Sequence, residues 1–261
     1  MRAWRLADAD WNSWPEARSD DEIFRQAADL ALDGVELGVY DAAVELSTAR
    51  LSSLVRTNVA TGVPVAGVLL SLPAERWPDG ALSGEVDRLV EQVGLCADAC
   101  RALALPVLGL WPGADPVGAD VLDGLHRCVQ AAGDVRLALE YKPDTAVADA
   151  AEALALCAAV PGLGVLLDTG HAHACDEDPA EVVDRLGDLL LHVHLGDAAS
   201  GGSDDDLPCG RLHDFSGVVA ALDASGFSGT AAFDLYGAVS SGDATSRDAV
   251  RESRDHVLSR R

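Results

Sequence analysis

The sequence predicts an α/β protein that folds as a single (β/α)8 (TIM) barrel over residues 1–261. Short apolar segments alternate strictly with longer amphipathic segments, and eight such pairs follow one another along the chain. The apolar segments show no polar alternation, which is typical of parallel strands buried on both faces. An open doubly wound sheet is the alternative, but no glycine-rich nucleotide-binding loop follows the first strand.

The strands and helices are predicted by length, turn residues and periodicity. The predicted strands cover residues 2–7, 34–39, 63–72, 106–111, 135–141, 163–168, 189–195 and 229–236. The predicted helices cover residues 19–32, 42–57, 83–104, 118–133, 146–160, 179–188, 215–226 and 245–261. The first helix begins at a capping residue, Ser19, followed by three acidic residues. The longest insertion, residues 196–214, follows the seventh strand.

The composition disfavours several classes of partner. Acidic residues outnumber basic residues 43 to 19, a formal net charge of −24. We therefore expect binding neither to nucleic acid nor to anionic membranes, because phosphate contacts require basic patches. No apolar run is long enough to span a bilayer. The six cysteines form no CxxC pair, which favours reduced thiols and a cytoplasmic location. The sequence is compatible with a homo-oligomer.

Ionisable residues collect where the last four predicted strands end. In a barrel of this kind, the carboxyl ends of the strands form the active site. The residues at these ends and in the loops after them are Glu140, Lys142, Asp168, His171, His192, His194, Asp197, Asp204, Asp205, Asp206 and Asp234. Carboxylates and imidazoles that converge on one opening are the ligands of a divalent cation. The sequence therefore predicts a metal site there.

Strand alternation refines these candidates, because residues i and i+2 of a strand point the same way. Glu140 and Lys142 can therefore both face the opening. His194 lies nearer the opening than His192, so His194 is the better candidate ligand. Lys142 is the only lysine among 19 basic residues. A lysine ammonium is compact and can lose its proton, unlike a guanidinium, so this residue is a candidate for a chemical role.

Five motifs on these strands resemble the xylose-isomerase-like barrels. They are "DGVELG", "LEYKP", "LDTGHAH", "LHVHLGD" and "FDLYG", and they span essentially the whole chain. That superfamily includes sugar isomerases, ketose epimerases, polyol dehydratases and an abasic-site endonuclease. "LEYKP" is similar to a strand of xylose and L-rhamnose isomerases, and "DDDLPCG" is similar to a metal-binding loop of xylose isomerases.

The resemblance implies a set of metal ligands. One metal would be held by Glu140, Asp168, His194 and Asp234. Asp168 would bridge to a second metal, which His171, Asp204 and Asp206 would also hold. The implied cofactor is one or two divalent ions, Mn²⁺, Mg²⁺ or Co²⁺, with Zn²⁺ as a further candidate. Lys142 would contact the carbonyl oxygen of the substrate.

The function implied by the resemblance is aldose–ketose isomerisation of a carbohydrate or polyol by hydride shift. The alternative is a ketose epimerase or polyol dehydratase that uses Glu140 and Asp234 as an acid/base pair. Asp234 stands where epimerases carry a glutamate, which favours the isomerase. An abasic-site nuclease and a non-catalytic barrel are the remaining alternatives.

Four further residues are candidates for substrate binding. Glu36 is the nearest ionisable substitute for the ring-opening histidine of the isomerases, which the early strands lack. Trp111 could form an apolar wall, and His171 and Arg211 could supply polar contacts.

Overall fold

The computed structural model describes residues 3–202 and 205–260 and shows a closed barrel of eight parallel strands. Strand order follows the sequence, and the last strand pairs with the first. The strands are Arg5–Ala9 (β1), Gly34–Val39 (β2), Val65–Ser71 (β3), Val107–Trp111 (β4), Arg136–Glu140 (β5), Leu163–Asp168 (β6), Leu190–Leu195 (β7) and Thr230–Phe233 (β8). The predicted fold class is confirmed.

Helices cover the outside of the barrel. They are Asp20–Asp29 (α1), Ala42–Glu45 (α2), Thr48–Thr61 (α3), Val86–Ala102 (α4), Leu122–Ala132 (α5), Ala150–Ala159 (α6), Thr169–Ala174 (α7), Pro179–Leu186 (α8), Ser216–Ala224 (α9), Tyr236–Ser240 (α10) and Ser246–Ser259 (α11). Short 3-10 helices cover Asp10–Glu16 and Gly187–Leu189. Among the described residues, no helix has the length and apolar character needed to cross a membrane.

Several predicted elements differ from the structure. The eighth strand ends at Phe233 rather than at residue 236, where α10 begins, and the helices predicted from residues 118 and 146 begin at Leu122 and Ala150. The first strand lies at Arg5–Ala9, later than the predicted 2–7. The predicted helix over 42–57 is two helices, because Ser47 begins a new one: its hydroxyl accepts a hydrogen bond from the backbone N–H of Arg50. Helices α7 and α10, which follow directly on β6 and β8, were not predicted.

Two small buried clusters are separate from the main core, and one of them combines Leu69, Leu166 and Leu191 with two alanines. The other cluster consists of three alanines, Ala7, Ala66 and Ala232. The larger apolar residues pack mainly between the strands and the surrounding helices, in one extended core. Buried polar groups accompany these apolar clusters, among them Glu36 and His192.

Candidate metal centre

A cavity of about 230 Å³ opens at the carboxyl ends of the strands. It is lined by Trp11, Trp14, Tyr40, Leu69, Ser71, Pro73, Trp111, Glu140, Lys142, His171, Asp206, Asp234 and Tyr236. Aromatic rings form much of its wall, and the ionisable groups are concentrated on the side of β5, β6 and β8. The end of the barrel predicted to carry the site is therefore the end where this cavity lies.

Glu140, Asp168 and His194 bring their ligand atoms within 4.8 Å of one another. Glu140 lines the cavity, whereas Asp168 and His194 are not among its lining residues. Each ends or nearly ends a strand, and Asp168 is the register partner of His194. The Nδ1 atom of His194 lies 3.4 Å from Oε1 of Glu140 and 3.8 Å from Oδ2 of Asp168. All three side chains are buried. One imidazole nitrogen with carboxylate oxygens fits a divalent cation such as Mn²⁺ or Zn²⁺.

Asp168 is oriented by the helix that follows it. Its Oδ1 atom accepts hydrogen bonds from the backbone N–H groups of Gly170, at 2.6 Å, and His171, at 3.1 Å. Asp168 is therefore the N-cap of α7, and the cap occupies one of its two oxygens. The other oxygen, Oδ2, is the one that faces His194.

Asp234 lies at the edge of this cluster and is held by Trp11. The indole N–H of Trp11 donates to Oδ1 of Asp234 at 2.8 Å. The other oxygen, Oδ2, is 3.9 Å from Nδ1 of His194, and 17% of the aspartate side chain is exposed. Trp11 also presents its ring to that of His194, with centroids 5.5 Å apart. Asp234, the predicted fourth ligand, therefore lies next to the cluster of Glu140, Asp168 and His194.

Glu36 lies beneath the cluster, which differs from its expected place among substrate-binding residues. It is 1% exposed and is not a lining residue of the cavity. Its Oε2 atom contacts Nε2 of His192 at 2.8 Å and Nε2 of His194 at 3.2 Å. Glu36 therefore contacts one nitrogen of the His194 ring, Nε2, whereas Glu140, Asp168 and Asp234 lie nearest the other nitrogen, Nδ1. A carboxylate behind a ligating histidine fixes its orientation and tautomer.

The charges of this cluster shift its pKa values strongly in the metal-free protein. Burial alone would raise the pKa of Glu36, but His192 and His194 outweigh it and lower that pKa to about 2. Burial would lower the pKa of His194, whereas Glu36 and Glu140 raise it well above its ordinary value. Burial raises the pKa of Asp234 to about 7, against the attraction of His194. A bound cation would replace protons on this cluster.

The ligand set predicted for a second metal is less closely assembled in the described residues. His171 and Asp206 both line the cavity. Nδ1 of His171 lies 2.9 Å from the carbonyl oxygen of Tyr141, and Oδ2 of Asp206 accepts the N–H of Gly237 at 3.1 Å. Asp204 lies outside the described residues. A second ion stays a prediction.

Lys142 and Trp111 meet at the wall of the cavity. The Nζ atom of Lys142 lies 5.1 Å from the centroid of the Trp111 ring. Lys142 and Glu140 both line the cavity, as the alternation of β5 indicates. Arg211 does not line it, contrary to expectation: its guanidinium forms two hydrogen bonds of 3.0 Å to Glu252 of α11.

Three aromatic residues of the cavity were not predicted from the sequence. Trp14, Tyr40 and Tyr236 line it and follow the ends of β1, β2 and β8. Because each of them follows the end of a strand, their place in the cavity could have been predicted from the sequence. The hydrogen bond from Trp11 to Asp234 could not be anticipated, because 223 residues separate the two.

Known proteins were compared with this chain by sequence and by structure. The chain resembles a D-allulose 3-epimerase from Methylomonas sp., with 16% identity, coverage of 99% of this chain and 98% of that one, and a TM-score of 0.76. It resembles an L-ribulose 3-epimerase, with 18% identity, coverage of 98% and 94%, and a TM-score of 0.74. It also resembles the zinc-binding IOLI protein, with 16% identity, coverage of 98% and 97%, and a TM-score of 0.76.

These identities support the fold alone. No curated protein matches the sequence. The family model described as "Xylose isomerase-like TIM barrel" matches residues 24–259, which is most of the chain. The protein therefore belongs to the xylose isomerase-like TIM barrel family.

Proposed function

We propose that this protein is a divalent-metal-dependent isomerase that interconverts an aldose and a ketose by hydride shift. Lys142 is the observation that favours this reaction. It is the only lysine of the chain, and it lines the cavity together with Glu140. Its ammonium group can donate a hydrogen bond to a single carbonyl oxygen, a position that the planar fork of arginine fits poorly.

Glu140, Asp168, His194 and Asp234 would hold the cation. A divalent cation bound there would polarise the substrate carbonyl as a Lewis acid. Lys142 would donate a hydrogen bond to O1 as negative charge develops on that atom. Hydride passes from C2 to C1, and the proton of the O2 hydroxyl is transferred to O1, so no carbon-bound hydrogen exchanges with water. Trp111 and Trp11 would cover the apolar face of the sugar.

A ketose epimerase is the second candidate, and the arrangement of carboxylates favours it. Glu140 and Asp234 both lie beside Nδ1 of His194, at 3.4 and 3.9 Å. One carboxylate could remove a proton from a carbon next to the carbonyl while the other returns a proton to the opposite face. Two proteins that share this fold are sugar 3-epimerases. A polyol dehydratase would use the same pair to expel water.

Turnover in D2O separates the two reactions. The protein, loaded with Mn²⁺, is incubated with aldoses (D-xylose, L-rhamnose) and ketoses (D-allulose, D-fructose), and products are identified by NMR. The isomerase predicts an aldose–ketose product without deuterium on carbon. A ketose product with deuterium at an inverted carbon would show that the reaction is epimerisation and not isomerisation. A product that has lost water would indicate a dehydratase.

Two substitutions test the role of Lys142. Lys142→Met should lower turnover about 10²–10³-fold, the usual effect of removing one donor to a developing oxyanion, without weakening Mn²⁺ binding. Lys142→Arg keeps the charge but not the compact ammonium, so turnover should stay low. Wild-type turnover in the Met variant would exclude this role.

A further inference from the structure

A second cavity lies at the opposite end of the barrel, where the strands begin. Its volume is about 320 Å³, larger than that of the candidate metal centre. Arg5, the first residue of β1, and Arg136, the first residue of β5, both line it. Because β1 and β5 are four strands apart in a closed barrel of eight, these two arginines extend from opposite walls.

These two arginines differ from most others in the protein because they form no ion pair with a carboxylate among the described residues. Among the arginines within residues 3–202 and 205–260, all but four pair with a carboxylate. The four are Arg5, Arg56, Arg76 and Arg136. Arg76 lies over the ring of Tyr40, 4.8 Å from its centroid, and Arg56 is exposed on α3. The other two both line this cavity, where Arg5 is partly buried and Arg136 is exposed.

The cavity contains one acidic residue, Asp188, and neither arginine forms an ion pair with it. In a chain of net charge −24, the surrounding field repels anions. Two arginines that pair with no carboxylate among the described residues therefore create a local positive region within a negative molecule. A guanidinium pairs best with carboxylate or phosphate, through two parallel hydrogen bonds.

His192 adds a third polar group to this cavity. It is a lining residue and is only 4% exposed. Its Nε2 atom contacts Glu36, as described above, while its Nδ1 atom has no hydrogen-bond partner among the described residues. A nearly buried imidazole thus offers one ring nitrogen to a ligand in the cavity. A small ligand at that position would be joined through His192 and Glu36 to the candidate metal centre.

We propose that this cavity binds a small oxyanion, a phosphate or carboxylate group, between Arg5 and Arg136, with His192 at its inner end. The volume leaves space for a compact organic group attached to the anion. The site lies at the other end of the barrel from the metal-binding cavity and shares no lining residue with it, so the proposal does not rest on the reaction proposed above.

Calorimetric titration with inorganic phosphate and with malonate tests this proposal, with NaCl at the same ionic strength as the reference. We expect one site in the wild-type protein. Arg5→Gln and Arg136→Gln should each weaken binding about tenfold or more, since each removes a charge-assisted hydrogen bond to the anion. Binding of both ligands, or of one alone, would support the site and identify the group that it prefers.

Two matched variants serve as controls. Arg56→Gln changes the net charge identically at an exposed, unpaired arginine, and Asp168→Asn alters the opposite end of the barrel. Both should bind phosphate within about twofold of the wild type. If Arg56→Gln weakened phosphate binding equally, the effect would be due to net charge and not to a specific site. If Asp168→Asn weakened it, phosphate would be binding at the metal centre. Either result, or no binding at 10 mM of each ligand (roughly the weakest affinity of interest), would overturn the proposal.

Protection from an arginine reagent gives an answer that does not depend on the folding of variants. Phenylglyoxal is applied to the wild-type protein with and without phosphate, and modified arginines are located by mass spectrometry. Phosphate should slow modification of Arg5 and Arg136 but leave Arg56 unchanged. Unaltered modification of the first two would contradict the proposal.

Discussion

Trp11→Phe should weaken metal binding, because it removes the indole N–H that holds Asp234. That hydrogen bond is 2.8 Å long, and its acceptor is a largely buried carboxylate. A hydrogen bond to a charged group contributes about 1.5–3 kcal/mol. Because about 1.4 kcal/mol corresponds to a factor of ten in a dissociation constant, the variant should bind Mn²⁺ about 10–100-fold more weakly.

Calorimetric titration of metal-free protein with Mn²⁺ measures this effect, and circular dichroism verifies that the variant is folded. Trp14→Phe is the matched control. Trp14 lines the same cavity, and its ring packs against Tyr40 with centroids 5.2 Å apart, but its indole forms no hydrogen bond among the described residues. The reasoning is refuted if Trp11→Phe binds Mn²⁺ within about twofold of the wild type, or if both variants lose affinity equally.

Three further predictions concern the pH dependence of metal binding, the pH dependence of stability, and packing. Mn²⁺ binding should tighten as pH rises towards 8. The pKa values of His194 and Asp234 are raised, the latter to about 7, so both ligands carry protons at lower pH. An affinity that stays constant in titrations from pH 5.5 to 8.5 would contradict this prediction. In the same metal-free protein, the raised pKa of Asp234 should make its contribution to stability fall as pH rises from about 4 to about 7, a slope that Asp234→Asn should lack in thermal unfolding. Gly67→Ala should lower the free energy of unfolding by about 1–3 kcal/mol, since its Cβ would lie 2.8 Å from Oε1 of Glu36. Gly94→Ala, on α4 with no atom within 4 Å of the new Cβ, should instead raise it by about 0.5–1 kcal/mol; denaturant unfolding that ranks the two variants the other way would contradict the argument.

The barrel could be predicted from sequence because its signals are local. Each strand is an apolar run bounded by turn residues, and the strict alternation with helices leaves few topologies. The boundary between α2 and α3 was also locally encoded, since Ser47 precedes Thr48 as a capping residue, but the apolar spacing across it concealed the break. The short helix α7 depends on the capping carboxylate of Asp168, which the sequence analysis assigned only to metal binding.

The candidate ligands were predictable for a related reason. Residues at the carboxyl ends of parallel strands meet by topology alone, so Glu140, Asp168 and His194 could be grouped before any contact was known. The position of Glu36 beneath the cluster could not be predicted, because strand alternation gives the direction of a side chain but not its depth in the barrel. Its partner His192 is 156 residues away. Arg211 was misplaced for a similar reason: its partner Glu252 lies on the last helix.

The solitary lysine of the cavity has a practical consequence for chemistry at the bench. Lys142 carries the only ε-amino group of the protein, and that group stands in the candidate active site. An amine-selective reagent therefore has a single lysine side chain as its target in this chain. The extent of labelling at Lys142 would report directly how fully the cavity is occupied, with no need for a known substrate.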